Sequence, residues 1–361
     1  MTQMMITSQS LSNMKRSLSI ILAAAAVLAC TKTEVNYDMA QQSEIAIMPA
    51  SSGITKAAIT DGVFPKTNHI GLYAFYTNTV EADQNGKDVA DYAAFNKNFF
   101  NNVEFYCPDQ TKNIWAGLTP QYWPATGSMV FAGYSLDRPA GNNNTASTPN
   151  GTPGYTLSTD CFTLTDYVQS NETDKTYDLL YFGRTNKSYG KNSVNVPVVF
   201  HHALAWIKLE VCGTTGALVP GREWAITNVE FRGVSTKGDF TYTGTSTQQN
   251  KASWNGWESE KNVIVFNEDK TIDPVRSRQT LTSGFEEIEN VEDGTLVIPQ
   301  SAKKLYVTIE YLSPASDVIT EVVEIDIPAQ TLKWEAGKKY TYQLTFSPQE
   351  ILVAPSVGTW E

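Results

Sequence analysis

The sequence predicts an all-β protein. From about residue 70 onward, β-branched and aromatic residues occur in runs of five to eight that are separated by Gly, Pro, Asn and Asp. Within these runs, apolar and polar side chains alternate with a period of two, as expected for half-buried strands. No segment shows a comparable apolar stripe with helical spacing, so we expect little helix.

The length and composition are those of a globular protein. The 361 residues are enough for about two domains of ordinary size. Charged residues make up 18% and hydrophobic residues 41% of the chain, unlike disordered or polytopic membrane proteins. The net charge is -11 and no basic cluster is present. Nucleic acid is therefore not expected as a partner.

The N-terminus has the pattern of an export signal. Lys15 and Arg16 precede an apolar run, residues 17–29, that ends in small residues before Cys30. This run is shorter than the roughly 20 residues that a membrane helix needs. Residues 1–29 are therefore predicted to be a signal peptide. The true start could be Met14, because the basic region follows it directly.

The residues around the predicted cleavage site also suggest lipidation. The segment Val27-Leu28-Ala29-Cys30 resembles the lipobox of bacterial lipoproteins, in which the cysteine is acylated and becomes the first residue of the mature chain. The alternative is an ordinary signal peptide that ends near a cysteine.

The C-terminal half contains the clearest strands. Alternation is regular in residues 305–311, 323–327 and 340–346, and buried residues of this size contribute about 1.5–3 kcal/mol each. We expect such strands to pack as β-sandwiches. Residues 198–211 are predicted to be one long strand, with Ile207, Leu209 and Val211 facing inward and Lys208 and Glu210 outward.

The first half contains a long polar stretch and then a candidate boundary. Residues 137–154 are rich in Pro, Gly, Asn and Thr, which predicts a surface loop. A domain boundary is expected near residues 190–200, which divides the exported chain into an N-terminal sandwich, residues 57–195, and a C-terminal sandwich, residues 196–361.

The cysteine count excludes a complete disulfide framework. Apart from Cys30, the chain has three cysteines, an odd number that cannot all pair within one molecule. Cys107 and Cys161 could join. The favoured interpretation is that these two and Cys212 are buried free thiols that act as small hydrophobic residues.

The sequence offers no constellation typical of an enzyme. Motifs for nucleotide, metal or nucleophilic chemistry are missing, and the Ser-x-x-Lys match at Ser301 and Lys304 lacks its companion motifs. The adjacent His201 and His202 would point to opposite faces of a strand, which prevents joint metal ligation, and His69 is distant in sequence. We therefore predict no catalysis, no metal and no cofactor.

Two aromatic residues suggest a ligand site. Trp254 and Trp257 flank a glycine turn, where they could form a platform that stacks on a sugar ring. The alternative, which the residues favour, is structural: one tryptophan is buried and the other packs under a loop.

Several short motifs occur in an order that resembles the fimbrillin-like subunits of type V pili. They include the lipoprotein start at Cys30 and the motifs Ile70-Gly71-Leu72-Tyr73-Ala74-Phe75, Gln121-Tyr122-Trp123-Pro124, Phe131-Ala132-Gly133-Tyr134, Tyr177-Asp178-Leu179-Leu180-Tyr181, Phe200-His201-His202-Ala203-Leu204-Ala205-Trp206-Ile207, Leu296-Val297-Ile298-Pro299-Gln300, Trp334-Glu335-Ala336-Gly337-Lys338-Lys339-Tyr340 and Val357-Gly358-Thr359-Trp360-Glu361. Each motif is short, but their common order over most of the exported chain is specific.

This resemblance implies two transthyretin-like β-sandwich domains in tandem and assembly by strand exchange. Residues 30–56 would be a lipidated propeptide whose first strand carries Ile45 and Ile47. Its removal would open a groove that the terminal strand of another subunit fills. Ile351 and Val353 have the alternation expected of that terminal strand, and Pro355 is expected to end its pairing.

The resemblance also implies proteolytic maturation. In the family, a surface trypsin-like protease cuts after a basic residue, usually arginine, near the start of the first domain. The aligned residue in this chain is Lys56, so the mature chain would begin at Ala57, and a protease specific for arginine would leave the precursor intact.

The predicted function is that of a structural and adhesive fimbrial subunit. The precursor would lie in the outer membrane as a lipoprotein and then enter an extracellular fimbrium with other pilus subunits. The alternative is a monomeric surface lipoprotein that binds a glycan or a host protein through Trp254 and Trp257 or through the loop around residues 142–144.

Overall fold

The structure is a computed structural model. It describes residues 43–49, 64, 66–77, 97–124, 128–137, 151–156, 161–169, 178–188, 195–214, 225–244, 251–267, 279–280, 282–288, 294–302, 304–312, 317–327, 333–347 and 350–359.

The described residues form twenty strands and no α-helix, which confirms the predicted all-β class. In chain order the strands are β1 Ala46–Pro49, β2 Ile70–Thr77, β3 Lys97–Tyr106, β4 Trp115–Gly117, β5 Ser128–Asp137, β6 Thr152–Thr156, β7 Cys161–Val168, β8 Asp178–Ser188, β9 Asn195–Val198, β10 His201–His202, β11 Ala205–Gly213, β12 Ala225–Thr243, β13 Ala252–Asn267, β14 Gln279–Thr280, β15 Glu286–Glu287, β16 Thr295–Val297, β17 Lys304–Leu312, β18 Val318–Asp326, β19 Lys338–Phe346 and β20 Ile351–Thr359.

An eight-stranded sheet contains most of the N-terminal half. Its strand order is β10-β8-β5-β2-β3-β4-β1-β9, and all neighbours are antiparallel except β1 and β9, which run parallel. Alternate side chains of its strands enter two hydrophobic clusters. Leu72 and Phe131 belong to one cluster, whereas Tyr73 and Tyr134 belong to the other. Both faces of the sheet are therefore covered.

The C-terminal half is built from two sheets that face each other. A five-stranded sheet places β11 beside β19 in parallel, with β20 at the edge beyond β19. A seven-stranded sheet is organised around the long strand β12. Both sheets contribute to one core, in which β11, β17 and β19 supply alternating residues, including Ile207, Leu209, Val211, Leu305, Val307, Ile309, Tyr342, Leu344 and Phe346. This arrangement fits the predicted sandwich packing.

Strand β12 also connects the two halves of the molecule. Its C-terminal part pairs with β7, and the hairpin of β6 and β7 comes from residues 152–168, before the expected domain boundary. Phe162 of β7 and Phe240 of β12 share a cluster with Tyr73 and Tyr134 of the eight-stranded sheet. The division into residues 57–195 and 196–361 stays a prediction, and this hairpin crosses it.

The predicted loop at residues 137–154 needs a correction at its C-terminal end. Residues 152–156 form β6, which pairs with β7 and lies at the edge of its sheet. Pro153 and Gly154 are tolerated there because an edge strand needs hydrogen bonds on one side only.

The predicted long strand at residues 198–211 is also wrong in part. The chain forms β9, β10 and β11 in succession, since it leaves the eight-stranded sheet after His202 and joins the five-stranded sheet at Ala205. Between these strands, the Ala203 amide donates to the Leu179 carbonyl oxygen at 2.8 Å. One straight strand cannot serve two sheets. Within β11, the predicted inward and outward residues are confirmed.

Candidate functional site

The first strand lies inside the eight-stranded sheet. β1 pairs antiparallel with β4, where Ile47 is opposite Trp115, and parallel with β9, where Ile47 is beside Val196. We call the space between β4 and β9 the β1 slot. Since β9 stands at the end of the described sheet and pairs with β1, the occupant of the slot also holds β9 in place.

Hydrogen bonds fix the register of the segment in the β1 slot. The Ile45 amide donates to the Gln121 carbonyl oxygen at 2.7 Å, and the Trp123 amide donates to the Ser43 carbonyl oxygen at 3.0 Å. At the other end of the strand, the Asn113 side-chain amide donates to the Pro49 carbonyl oxygen at 2.7 Å.

The apolar side chains of this segment are completely buried. Ile45 and Ile47 have no solvent exposure and belong to a cluster with residues from strands on both sides of the slot. The cluster includes Trp115 of β4, Val196 and Val198 of β9, and the following or neighbouring residues Phe200 and Trp123. The predicted alternation of Ile45 and Ile47 thus corresponds to two side chains on the same buried face.

The predicted processing residues cannot be placed in this geometry. Cys30, Lys56 and Ala57, together with the predicted signal peptide at residues 1–29, lie outside the described residues. The loop around residues 142–144 does so as well. Lipidation at Cys30 and cleavage after Lys56 stay predictions from the sequence.

The C-terminal strand β20 lies at the edge of the five-stranded sheet, beyond β19. Ile351 and Val353 are half-buried and pack against the C-terminal core, whereas Leu352 is 53% exposed. The prediction that these two residues share one face is therefore confirmed by their burial. In the described sheet, β19 is the strand that pairs with β20.

The expectation that Pro355 ends this pairing is wrong. Pairing with β19 continues from Phe346 opposite Ile351 through Tyr342 opposite Pro355 to Lys338 opposite Thr359. Proline lacks an amide hydrogen, but an edge strand has one side on which no donor is needed. The candidate exchange strand is therefore longer than its apolar residues suggest.

The two predicted ligand-site tryptophans line one pocket but do not form a shared open platform. Trp254 is 6% exposed, donates from Nε1 to the Ala203 carbonyl oxygen at 2.7 Å, and contacts the rings of Tyr167 and Phe240. Trp257 is 48% exposed. The structural interpretation thus holds for Trp254, because its ring is held in the core, whereas Trp257 offers its ring to solvent.

The histidines take part in local polar contacts. His202 Nδ1 lies 2.7 Å from Asp178 Oδ2, and both side chains are buried. Burial, with a smaller contribution from the charge of Asp178, raises the pKa of the Tyr167 hydroxyl. His69 Nδ1 lies 2.5 Å from Glu104 Oε1 at a more accessible position. Within the described ranges, no three His, Cys, Asp or Glu residues cluster in a way that could hold a metal ion.

The three cysteines of the body are free thiols. Cys107 and Cys212 are buried, as the favoured interpretation predicts, whereas Cys161 is only partly buried at the start of β7. The alternative of a bond between Cys107 and Cys161 is not formed. Separately, no helix in the described part of the chain is long and apolar enough to cross a membrane.

Sequence reasoning did not identify the walls of either site. The β1 slot is bounded by β4 and β9, which have three and four residues, too few for a reliable alternation signal. The pocket at Trp257 is completed by residues 333–338, about eighty positions later in the chain. The available signals for the slot were Trp115, two residues before Gly117, and the alternating Val196 and Val198.

Comparisons with known proteins found a matching family and similar solved structures. A family model described as fimbrillin-like matches residues 55–360. A crystal structure of a fimbrial protein from Bacteroides vulgatus is 15% identical, has a TM-score of 0.57, and covers 88% of this chain and 99% of its own. A fimbrial assembly protein from Parabacteroides distasonis is also 15% identical, with a TM-score of 0.42, and covers 88% of this chain and 98% of its own. No curated protein matches the sequence significantly.

Proposed function

The chain belongs to the fimbrillin-like family, and from this premise we propose that it is a structural and adhesive subunit of cell-surface fimbriae of the type V class, with no catalytic role. The single observation that supports this proposal best is the placement of β1. A strand that lies between two others, with two buried isoleucines, leaves an empty slot when it is removed.

An emptied β1 slot would be a strong site for another strand. Loss of β1 would leave unpaired N–H and C=O groups on the facing edges of β4 and β9. Loss of β1 would also empty the cavities that Ile45 and Ile47 fill. Burial of an apolar side chain in each cavity contributes about 1.5–3 kcal/mol to stability. An extended, alternating segment from a second subunit satisfies both needs by strand addition.

Strand β20 is the candidate donor. It carries Ile351 and Val353 at the same two-residue spacing as Ile45 and Ile47, so the two side chains can enter neighbouring cavities. β20 lies at a sheet edge, and β19 is its one paired strand in the described sheet. It can therefore leave by breaking the backbone hydrogen bonds to that strand. The other fimbrial subunits in the polymer would be further copies or homologues of this chain.

Cleavage after Lys56 would control the exchange. Before the cut, the tether gives the β1 segment a high effective concentration in its own slot, so a neighbour's strand cannot compete. After the cut, the segment becomes a dissociable peptide and the mature chain begins at Ala57. A surface trypsin-like protease that accepts lysine is the partner that this step requires.

The lipid anchor would set the location of each stage. Acylation at Cys30 holds the precursor in the outer membrane, because several acyl chains bind a membrane far more firmly than one. Removal of the propeptide separates the mature subunit from that anchor and allows it to enter the extracellular fimbrium.

Limited trypsin digestion of the purified full-length chain tests the exchange. The new N-terminus is expected at Ala57, and oligomers are expected by size-exclusion chromatography only after digestion. The Lys56→Ala variant should stay monomeric under the same conditions. Equal polymerisation of Lys56→Ala and the unaltered chain would refute the gating role.

A matched pair of variants tests the donor. Val353→Asp places a charge on the inward face of β20 and should block oligomers after cleavage. Val318→Asp makes the same change at an exposed position on another edge strand, β18, and should leave them unchanged. If both variants polymerise equally, β20 is not the donor and the alternative, a monomeric surface lipoprotein, gains support.

Metabolic labelling tests the anchor. Cells that express the unaltered chain should incorporate a labelled fatty acid into it and retain it in the membrane fraction. Cys30→Ala should lose both properties, whereas Cys161→Ala, which changes a partly buried thiol of the body, should keep them. Unchanged labelling of Cys30→Ala would exclude the lipoprotein assignment.

A further inference from the structure

We propose that the pocket beside Trp257 binds a carbohydrate that carries a carboxylate group. The pocket has a volume of about 550 Å³, within the range of small-ligand sites. It is lined by β13, by the turn before β19 and by Pro299. The lining residues are Ala252, Ser253, Trp254, Trp257, Pro299, Lys333, Trp334, Glu335, Ala336 and Lys338.

The turn that forms one wall is held firmly. The Trp334 amide donates to the Gln300 carbonyl oxygen at 2.9 Å, and its Nε1 donates to the Tyr342 hydroxyl at 2.9 Å. The Tyr340 hydroxyl accepts from the Glu335 amide and donates to the Lys333 carbonyl oxygen, both at 2.8 Å. A wall anchored at four points loses little conformational freedom when a ligand binds.

The other wall presents Trp257 through a bulge in β13. Lys237 is opposite Glu258 and Asp239 is opposite Asn255, so Gly256 and Trp257 together face one residue of β12. Gly256 has φ of +63°, which favours glycine and re-aims the next side chain. Trp254, on the same strand, is buried and lines the same pocket.

The chemistry of the lining suits an acidic sugar. Trp257 exposes nearly half of its surface and can cover the apolar C–H face of a pyranose ring, whereas Ser253 and Glu335 can bond hydroxyl groups. Lys333 and Lys338 bring two positive charges against the one negative charge of Glu335. Among the described residues, neither lysine has an ion-pair partner. The excess positive charge among the lining residues favours a carboxylate over a neutral group.

The same geometry disfavours an extended peptide as the ligand. Strand addition needs a regular edge, and the bulge at Gly256 and Trp257 interrupts the edge of β13. The small residues Ala252, Ser253 and Ala336 instead leave a compact space that fits one or two sugar rings.

Calorimetric titration with matched saccharides tests the proposal. The probes are digalacturonic acid, a hyaluronan disaccharide and sialyllactose, each compared with the form whose carboxylates are methyl-esterified. At least one acid should bind the uncleaved full-length monomer, and its ester should bind more weakly. Because salt screens the attraction between the carboxylate and the lysines, raising the salt concentration should weaken the binding of the acid more than that of the ester.

Variants assign the binding to this pocket. Trp257→Ala should weaken the binding of the acid by about tenfold or more. Lys333→Gln and Lys338→Gln should each weaken the binding of the acid by about two- to fivefold and leave the binding of the ester unchanged. Phe285→Ala, which removes another exposed aromatic ring (45% exposed) outside the pocket, should have no effect.

Three results would overturn the proposal. They are no binding of any acidic probe at millimolar concentration, equal binding by Trp257→Ala, or equal affinity for a short polyglutamate peptide. Because the titration uses the uncleaved monomer, its failure would not affect the strand-exchange proposal, and a failure of polymerisation would not affect this one.

Discussion

Ile47 of β1 lies directly opposite Trp115 of β4, and neither side chain is accessible to solvent. The Trp115 Nε1 group donates to the Asn68 carbonyl oxygen at 2.8 Å, which fixes the ring that covers the isoleucine. A residue from the predicted propeptide thus completes the core of the first sheet. The precursor is expected to be stable because of a segment that maturation would remove.

The first prediction concerns this contact. Ile47→Ala should lower the free energy of unfolding of the uncleaved chain by about 2–5 kcal/mol, because it opens a cavity in a packed core. Leu352→Ala, at a position that is 53% exposed, should change it by about 0.5 kcal/mol or less. Urea denaturation followed by far-UV circular dichroism measures both. Equal effects would mean that β1 does not contribute to the core.

The second prediction concerns the buried pair of His202 and Asp178. His202→Ala would leave the Asp178 carboxylate buried without its nearest partner, at a cost of about 3–5 kcal/mol. His201→Ala, next in sequence but only partly buried, should cost less. Thermal unfolding of the two variants measures the difference. We also expect zinc titration to find no tight site, and a tight site lost in His202→Ala would show that this histidine is a ligand.

The third prediction concerns the bulge of β13. A Cβ at residue 256 would lie 3.1 Å from Asp239 Oδ2, and φ is +63° there, so Gly256→Ala should destabilise the protein by about 1–2 kcal/mol. Gly284→Ala is the control, since a Cβ there meets nothing within 4 Å. The fluorescence of Trp257 should also change in Gly256→Ala. An unaltered spectrum and stability would mean that the bulge does not depend on glycine.

The fourth prediction concerns alkaline pH. Burial raises the pKa of Tyr340 to about 12 from its ordinary value of 10.0. The folded protein therefore holds this proton more tightly than the unfolded chain does, so the stabilisation is complete below pH 10 and is lost as the pH rises toward 12. Burial raises the pKa of Tyr342 as well.

The fall in unfolding free energy between pH 10 and 12 measures this effect. It should be shallower in Tyr340→Phe, which has no proton to lose, than in the unaltered chain. Tyr122→Phe, at an exposed position, should retain the full slope. Identical slopes in all three proteins would exclude Tyr340 as a source of the pH dependence.

Local patterns predicted much of the fold correctly. The alternation of Leu305, Val307 and Ile309 placed these residues in the core, and the same holds for Tyr342 and Leu344, because each strand has one covered face. Prediction failed where the chain changes sheets near residue 203 and where a proline-containing segment, residues 152–156, lies at a sheet edge. Hydrophobic periodicity describes one strand and does not specify its neighbours.

In both candidate sites, the sequence pattern identifies some residues but not the residues that surround them in the fold. Ile45 and Ile47 could be recognised as a strand from their spacing, but the walls of the β1 slot come from short strands at residues 115–117 and 195–198. Trp257 could be recognised as a candidate ligand residue, but its exposure and the lysines opposite it depend on the turn at residues 333–338.

The sequence by itself determined the all-β class, the export pattern, the alternation of the first and last strands and the absence of recognisable catalytic motifs, because these depend on residue types and short spacings. Only the tertiary structure decided that β1 lies between β4 and β9, that Trp254 is buried while Trp257 is exposed, and that β6 and β7 join the sheet of β12. The physical reason is that strand pairing and side-chain burial depend on contacts between residues far apart in the chain, which no local pattern encodes.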